Sequence, residues 1–234
     1  MTIGNELVSG DVANTNGGWL AKRLEALGLP VRMVATVRDE LDDIVRVVRD
    51  EAERVDVLVL TGGLGGTPDD ITREAVAAAF GVEQEEVPEL ADRLRRRFAR
   101  DPEYAARWAR LPRGARPLEN PLGGAPGFVL GNVYVLPGLP SEMESMFLGL
   151  EDELRRSGPI LSWRRTYRTS EAAIVRVLES AGERYPHVQI GSYPSFYAHG
   201  SEVEIVMKSA DADALSAAAA WIERALIDAI GGPG

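Results

Sequence analysis

Apolar positions between Met1 and Arg155 recur in two alternating rhythms. Met1-Thr2-Ile3 opens as a short strand and runs into Gly4-Asn5-Glu6-Leu7-Val8-Ser9-Gly10, a polar turn bracketed by glycines. Asn14-Thr15-Asn16 then offer caps for a helix whose Leu20, Leu24 and Leu27 share one face, and Gly28 and Pro30 end it. Val31 to Val37 reads as a second strand, with Arg38-Asp39-Glu40 as its exit loop. Leu41, Ile44, Val45, Val48 and Ala52 follow at helical spacing. Val55 to Leu60 is a short β-branched run suited to a strand buried on both faces, and a helix from about Asp70 to Phe80 buries Ala75, Val76, Ala79 and Phe80. Such alternation predicts a parallel sheet with right-handed crossovers, an α/β fold.

Beyond Gly81 the rhythm loosens. Two short helices, one carrying Leu90, Leu94 and Phe98 and the other Tyr104, Trp108 and Leu111, read as an insertion or cap. Phe128-Val129-Leu130 and Val133-Tyr134-Val135-Leu136 flank Gly131-Asn132 as a hairpin. The hairpin exits through Pro137-Gly138-Leu139-Pro140-Ser141-Glu142-Met143, where Ser141 can cap a helix that turns Met146, Phe147, Leu150 and Leu154 inward. Ser157-Gly158-Pro159 marks a boundary, so the first domain is taken as 1–157. A second, 158–230, reads β-α-β-β-α with its first helix capped by Thr169 or Ser170, and the tail 231–234 is expected to be disordered.

Composition narrows the function. The 234 residues contain no cysteine, which removes disulfides, thiolate metal sites and a cysteine nucleophile. No apolar run is long enough to span a membrane and no leader opens the chain, so a cytoplasmic protein without membrane contact is expected. A net charge of -10 argues against nucleic acid as a partner. Charge is uneven, however: Ala91 to Arg116 holds nine arginines against Asp92, Asp101 and Glu103, a local excess of +6. That segment reads either as a solvated helical face or as a positive flap over an anionic substrate.

The candidate chemistry lies in Thr61-Gly62-Gly63-Leu64-Gly65-Gly66-Thr67-Pro68-Asp69-Asp70. Four glycines after a strand permit tight turning and close backbone approach to a ligand, and Thr67 or Asp69 can cap the next helix. A loop at the carboxyl end of a parallel strand is a ready phosphate site. Neither GxxxxGK[ST] nor GxGxxG fits, because no lysine follows the glycines and Pro68 replaces the third glycine. Carboxylates beside such a loop repel phosphate unless a divalent cation stands between them, so loop and acids together suggest metal plus phosphate.

Several ordered motifs carry a resemblance: Gly4-Asn5-Glu6-Leu7, Asn14-Thr15-Asn16, Thr61-Gly62-Gly63-Leu64-Gly65 with Pro68-Asp69-Asp70, Ala125-Pro126-Gly127-Phe128 and Pro137-Gly138-Leu139-Pro140-Ser141-Glu142-Met143. Together they resemble the MoaB/Mog-like molybdopterin-binding domain family, in the form found at the N-terminus of competence/damage-inducible protein CinA and of eukaryotic FAD synthases. Tyr185-Pro186-His187-Val188 and Ile190-Gly191-Ser192-Tyr193-Pro194 look like the small KH-like domain that follows in CinA proteins. The resemblance implies a three-layer α/β/α sandwich with a mostly parallel sheet, followed by a small α+β KH-like domain. For activity it implies metal-dependent hydrolysis of nucleotide pyrophosphates such as ADP-ribose or FAD. The alternatives are adenylylation of molybdopterin with ATP, or binding of a pterin or nucleotide without turnover.

Carried over by position, the resemblance implies catalytic Asp39 and Asp70, with Asp39, Asp69 and Asp70 holding Mg²⁺, Mn²⁺ or Co²⁺. The backbone of Gly62, Gly63, Gly65, Gly66 and Thr67 is expected to bind phosphate, facing Pro137, Gly138, Pro140 and Ser141 across the site. Glu6, Asn14 and Asn16 are further contacts, and Glu142 a weaker one. For Asp69 and Asn16 the competing role is a helix cap, and for Glu142 a first-turn partner of the helix dipole. Family habit implies a homo-oligomer. Relatives commonly have proline where Gly66 stands and a longer first strand, and the amidohydrolase domain that ends CinA proteins has no counterpart, so deamidation of nicotinamide mononucleotide is not expected. A GxxG loop occurs only in the tail Gly231-Gly232-Pro233-Gly234, and His187 and His199 are expected to be structural.

Overall fold

In the computed structural model, which describes residues 1–156, 158–197 and 200–230, the chain divides into two compact units. Unit 1 comprises Met1–Lys22 and Val31–Leu154, and unit 2 comprises Arg23–Pro30 with Arg155–Gly234. Ser157, His199 and the tail 231–234, on which a boundary, a structural histidine and disorder were expected, lie outside the described residues.

Unit 1 is a mixed α/β fold. Its strands are β1 (Thr2–Ile3), β2 (Thr36–Val37), β3 (Leu58–Thr61), β4 (Gln84–Glu86), β5 (Arg110–Pro112), β6 (Arg116–Leu118), β7 (Gly127–Leu130) and β8 (Val133–Leu136). Its helices are α1 (Asn5–Ser9), α2 (Thr15–Ala26), α3 (Leu41–Ala52), α4 (Thr72–Phe80), α5 (Pro88–Arg97), α6 (Pro102–Ala106), α7 (Pro140–Leu148) and α8 (Glu151–Leu154). The sheet runs β2-β1-β3-β8-β7-β6, parallel across the first three pairings and antiparallel across the last two. On one face Ile44, Val48, Ala75 and Val76 share a core with Ile3, Leu60 and Val135. Trp19 of α2 meets Phe147 of α7 edge to face at 5.6 Å.

Several expectations need correction. The glycine-bracketed turn is a short helix, α1, closed by Gly10 at φ 84°. Of the run 31–37 only Thr36–Val37 pairs as strand, since Met33 and Val34 are exposed and meet no sheet partner that would reward their propensity. Leu41 and Phe80 are also exposed, each at an end of its helical stripe. The insertion holds strands as well as helices, because β4 and β5 pair as a separate ribbon and β6 extends the main sheet. The hairpin forms as expected, with Gly131 at φ 58°.

Unit 2 follows the order β9 (Leu161–Tyr167), α9 (Glu171–Arg184), β10 (Gln189–Tyr197), β11 (Gly200–Ser209) and α10 (Ala212–Ile230). Its sheet is antiparallel, β10-β11-β9, and Ile174, Ala181, Ile205, Met207 and Ile222 form its core. Residue 170 is the N-cap of α9 without a side-chain cap bond. Within this unit both carboxylate oxygens of Glu25 accept from Lys208 Nζ, at 2.9 and 2.7 Å. Among the described residues no helix is long and apolar enough to cross a membrane.

Candidate functional site

The strand ends of unit 1 open onto a cavity of about 520 Å³. Thr61 ends β3 buried, and its hydroxyl donates to the carbonyl of Pro137 at 2.6 Å. Gly62 then passes so close to β1 that a Cβ would lie 2.2 Å from the Ile3 carbonyl oxygen, and its φ of 110° is one that glycine favours. Gly63 is held from the other end, accepting from Thr72 N–H at 3.2 Å, while the Thr72 hydroxyl donates to the Gly62 carbonyl. The loop is therefore tied to the helix it precedes before any ligand enters.

Asp70 completes the closure. Its Oδ1 accepts from Gly65 N–H at 2.8 Å, and its Oδ2 accepts from Thr67 N–H at 2.8 Å and the Thr67 hydroxyl at 2.6 Å. A Cβ on Gly65 would sit 2.4 Å from Asp70 Oδ2. Two of the N–H groups expected to bind phosphate, at Gly65 and Thr67, are thus committed to Asp70, and a third, at Gly62, bonds the Leu136 carbonyl. The N–H groups of Gly63 and Leu64, both on the cavity wall, have no partner among the described residues. No side-chain cap forms on α4, whose N-cap is Ile71, so neither Thr67 nor Asp69 caps it.

Behind the loop lies Arg73, which is 5% exposed and donates to the carbonyls of Leu64 at 2.9 Å and Gly65 at 2.8 Å. Burial pushes its pKa below the usual arginine range, against the opposing pull of Glu74, Asp70 and Tyr104. Sequence reasoning passed over it, although a signal was there. An arginine in the first turn of a helix faces the unfavourable end of the dipole and needs a local reason to be there.

Asp39 lies at the exit of β2 and accepts from Asn5 N–H at 2.8 Å. Burial raises its pKa, the negative charges of Glu6, Asp69 and Asp70 raise it further, and the Asn5 bond pulls it back. The structure therefore brings Asp39, Glu6, Asp69 and Asp70 to one cavity wall. Asp69 is exposed there, its carbonyl accepting from Ile71 N–H. Among the described residues no three acid, histidine or cysteine side chains form a ready metal cage. A divalent ion can still be accommodated by one or two carboxylates completed by water and substrate oxygens, and the unsaturated Asp39 suits that better than Asp70 does.

The facing wall carries Pro137, Gly138, Pro140 and Glu142. Gly138 lets the two loops touch, since a Cβ there would be 3.3 Å from Gly62 Cα. Asn16 joins them, donating to the Gly138 carbonyl at 2.8 Å and the Thr61 hydroxyl at 3.2 Å, while its Oδ1 is buried without a partner among the described residues. Asn14 caps α2 by accepting from Gly17 N–H at 2.9 Å and anchors both Thr2 and Thr36. Glu142 accepts from Asn120 Nδ2 at 2.9 Å. Ser141 makes no cap bond, and Ser141, Gly66 and Thr67 are not on the cavity wall. Trp108, which sequence reasoning assigned to helix packing, is on it.

Residues 1–156 match the family model "probable molybdopterin binding domain", and residues 162–230 match "FAD synthase, middle domain". A CinA-like protein of Frankia casuarinae is 39% identical over 207 residues, covering 80% of this chain and 48% of its own length. The chain thus spans about half the length of that relative. A protein of Pyrobaculum arsenaticum is 39% identical over 215 residues, covering 86% of this chain and 81% of its own. Among solved structures, the protein CinA with unknown function from Thermoplasma acidophilum superposes with a TM-score of 0.62 at 34% identity, covering 66% of this chain and 96% of that one.

Proposed function

Since the chain belongs to the molybdopterin-binding domain family in its CinA-like form, we propose that it is a metal-dependent nucleotide pyrophosphatase acting on ADP-ribose, FAD or a related dinucleotide. The observation that carries this reading is the make-up of the cavity wall. Among the described residues it presents five carboxylates, those of Glu6, Asp39, Asp69, Asp70 and Glu142, and no lysine, arginine or histidine, beside the unpartnered N–H groups of Gly63 and Leu64. Donors for an anion set among uncompensated acids favour a phosphate that arrives with a cation. The match of 162–230 to the FAD synthase middle domain favours a flavin or adenine dinucleotide as ligand. In this reading unit 1 is a three-layer sandwich and unit 2 a KH-like accessory without a nucleic-acid role.

A divalent metal held by Asp39, with Asp69 and Asp70 beside it, would neutralise charge on the phosphoanhydride. The N–H groups of Gly63 and Leu64 bind phosphate oxygen, and the wall from Pro137 to Pro140 confines the ligand on the far side. The Asp39 oxygen that does not hold the metal accepts a proton from the attacking water. Water oxygen bonds to phosphorus, the bridging P–O bond breaks, and AMP and a second phosphate ester leave. Adenylyl transfer from ATP to molybdopterin would use the same groups, and the family's description favours a pterin as the second reading.

The test is AMP release from ADP-ribose, FAD and ATP, each with magnesium, manganese or cobalt. Release from ADP-ribose or FAD that disappears in Asp39→Asn supports hydrolysis. Asp39 is the better target because Asp70 also holds the loop together. Activity unchanged in Asp39→Asn would sink the proposed site, and AMP transfer to molybdopterin from ATP alone would establish the second reading.

A further inference from the structure

Gly66 departs from the residue the family resemblance led us to expect, and the fold shows what has taken its place. A Cβ at Gly66 would lie 2.2 Å from the hydroxyl oxygen of Tyr104 and within 2.6 Å of two of its ring carbons, so the tyrosine ring rests directly on the glycine. Tyr104 belongs to α6, in the arginine-rich segment. It is set in an aromatic series, its ring centroid 5.9 Å from that of Trp108, which in turn meets Phe98 edge to face at 5.2 Å. Asp101 fixes the start of the helix by accepting from Tyr104 N–H.

Neighbouring loop residues already have restraints. Arg73 holds the carbonyls of Leu64 and Gly65, and Asp70 holds the N–H groups of Gly65 and Thr67. Gly66 lies between these anchors, makes no hydrogen bond among the described residues, and has the widest intrinsic backbone freedom of any residue type. Tyr104 covers it. We propose that Tyr104 is a positioning residue for the phosphate loop, its ring and the absent side chain of Gly66 forming a fitted pair that keeps the Gly63 and Leu64 N–H groups set for an anion. This rests on the reading of the loop as a phosphate site, and it does not require turnover. It also gives the arginine-rich segment a role in the site through packing rather than through charge.

The test is calorimetric binding of inorganic pyrophosphate and of AMP, each with magnesium, to the full chain and its variants. Tyr104→Phe keeps the ring and is expected to bind within about twofold of wild type, whereas Tyr104→Ala weakens binding about tenfold. Gly66→Ala, with the ring still present, also weakens binding. The double variant Gly66→Ala/Tyr104→Ala binds better than Gly66→Ala alone, because the new methyl then has room. A tyrosine that merely stabilised its own helix would make the double variant worse than either single one. Binding by Tyr104→Ala equal to wild type, or a double variant no better than Gly66→Ala, overturns the proposal. Should Tyr104→Ala not fold, unchanged binding in Gly66→Ala overturns it too, as does failure of wild type to bind either ligand. Binding that follows this pattern without AMP release from any dinucleotide upholds the proposal and removes only the hydrolytic reading.

Discussion

Asp39 and Asp70 follow strands that flank β1 on either side, yet their surroundings differ in kind. Asp70 receives three hydrogen bonds, all from its own loop, and so behaves as part of the backbone's architecture. Asp39 receives one, from Asn5, and faces three other acids that make its charge unwelcome. Two carboxylates that look equivalent in sequence thus divide into a clamp and a group with unused coordination capacity. The saturated acid secures geometry, and in the proposed reading the unsaturated one is left for chemistry.

Substitution can break that contrast, and the largest effect belongs to turnover. Asp39→Asn should lower AMP release by about 10²–10⁴-fold. Its stability in urea should equal or exceed that of wild type, because a like charge has been removed from a crowded wall. A large loss of stability would show that Asp39 is architectural after all. Asp70→Asn should do the reverse in kind: an amide offers one acceptor oxygen where the carboxylate offered two, and its NH₂ confronts a loop N–H. The expected cost is about 2–3 kcal/mol in urea unfolding, together with weaker nucleotide binding. Gly65→Ala leaves the carboxylate in place but drives a methyl into it, for about 1–2 kcal/mol and a correspondingly looser loop. If Gly65→Ala were as stable as wild type, the loop would not be closed on Asp70 as described.

Such a division could not be read from the chain alone, and the reason is physical. The strand-to-helix alternation, the hairpin at Gly131-Asn132 and the β-α-β-β-α order of unit 2 depend on periodicity and turn residues, which are local. Val31 to Ala35 misled because β-branched residues favour a strand only where a partner is present. The glycine loop and Asp70 were legible together in one motif, and Asp39 was reached only through the family resemblance. What each does was not, since hydrogen bonds from Gly65, Thr67 and Asn5 depend on how the loop closes in space. Tyr104 and Trp108 showed helical spacing and were read as packing. That Trp108 walls the cavity and Tyr104 covers Gly66 needs the fold of the whole segment from 88 to 118.

The smallest effect is the pH dependence that Asp39 should impart. Its pKa is raised in the fold, so between the ordinary carboxylate pKa and that higher value the native state binds the proton that the unfolded chain has already lost. Its contribution to stability is therefore full in acid below the ordinary range, and is lost as the pH rises toward the folded value. Asp39→Asn has no such proton to lose. The stability of Asp39→Asn relative to wild type should grow as the pH rises from below the ordinary carboxylate range toward the raised folded value and then level off, by an amount that solvent around this half-buried group keeps small. A difference that stays flat, or that shrinks with pH, would contradict the burial of Asp39 and its crowding by Glu6, Asp69 and Asp70. Magnesium sharpens the same measurement. An ion at Asp39 binds only the native protein, so millimolar magnesium should restore the wild type's stability at neutral pH and leave Asp39→Asn unmoved, whereas equal stabilisation of both would place the ion elsewhere.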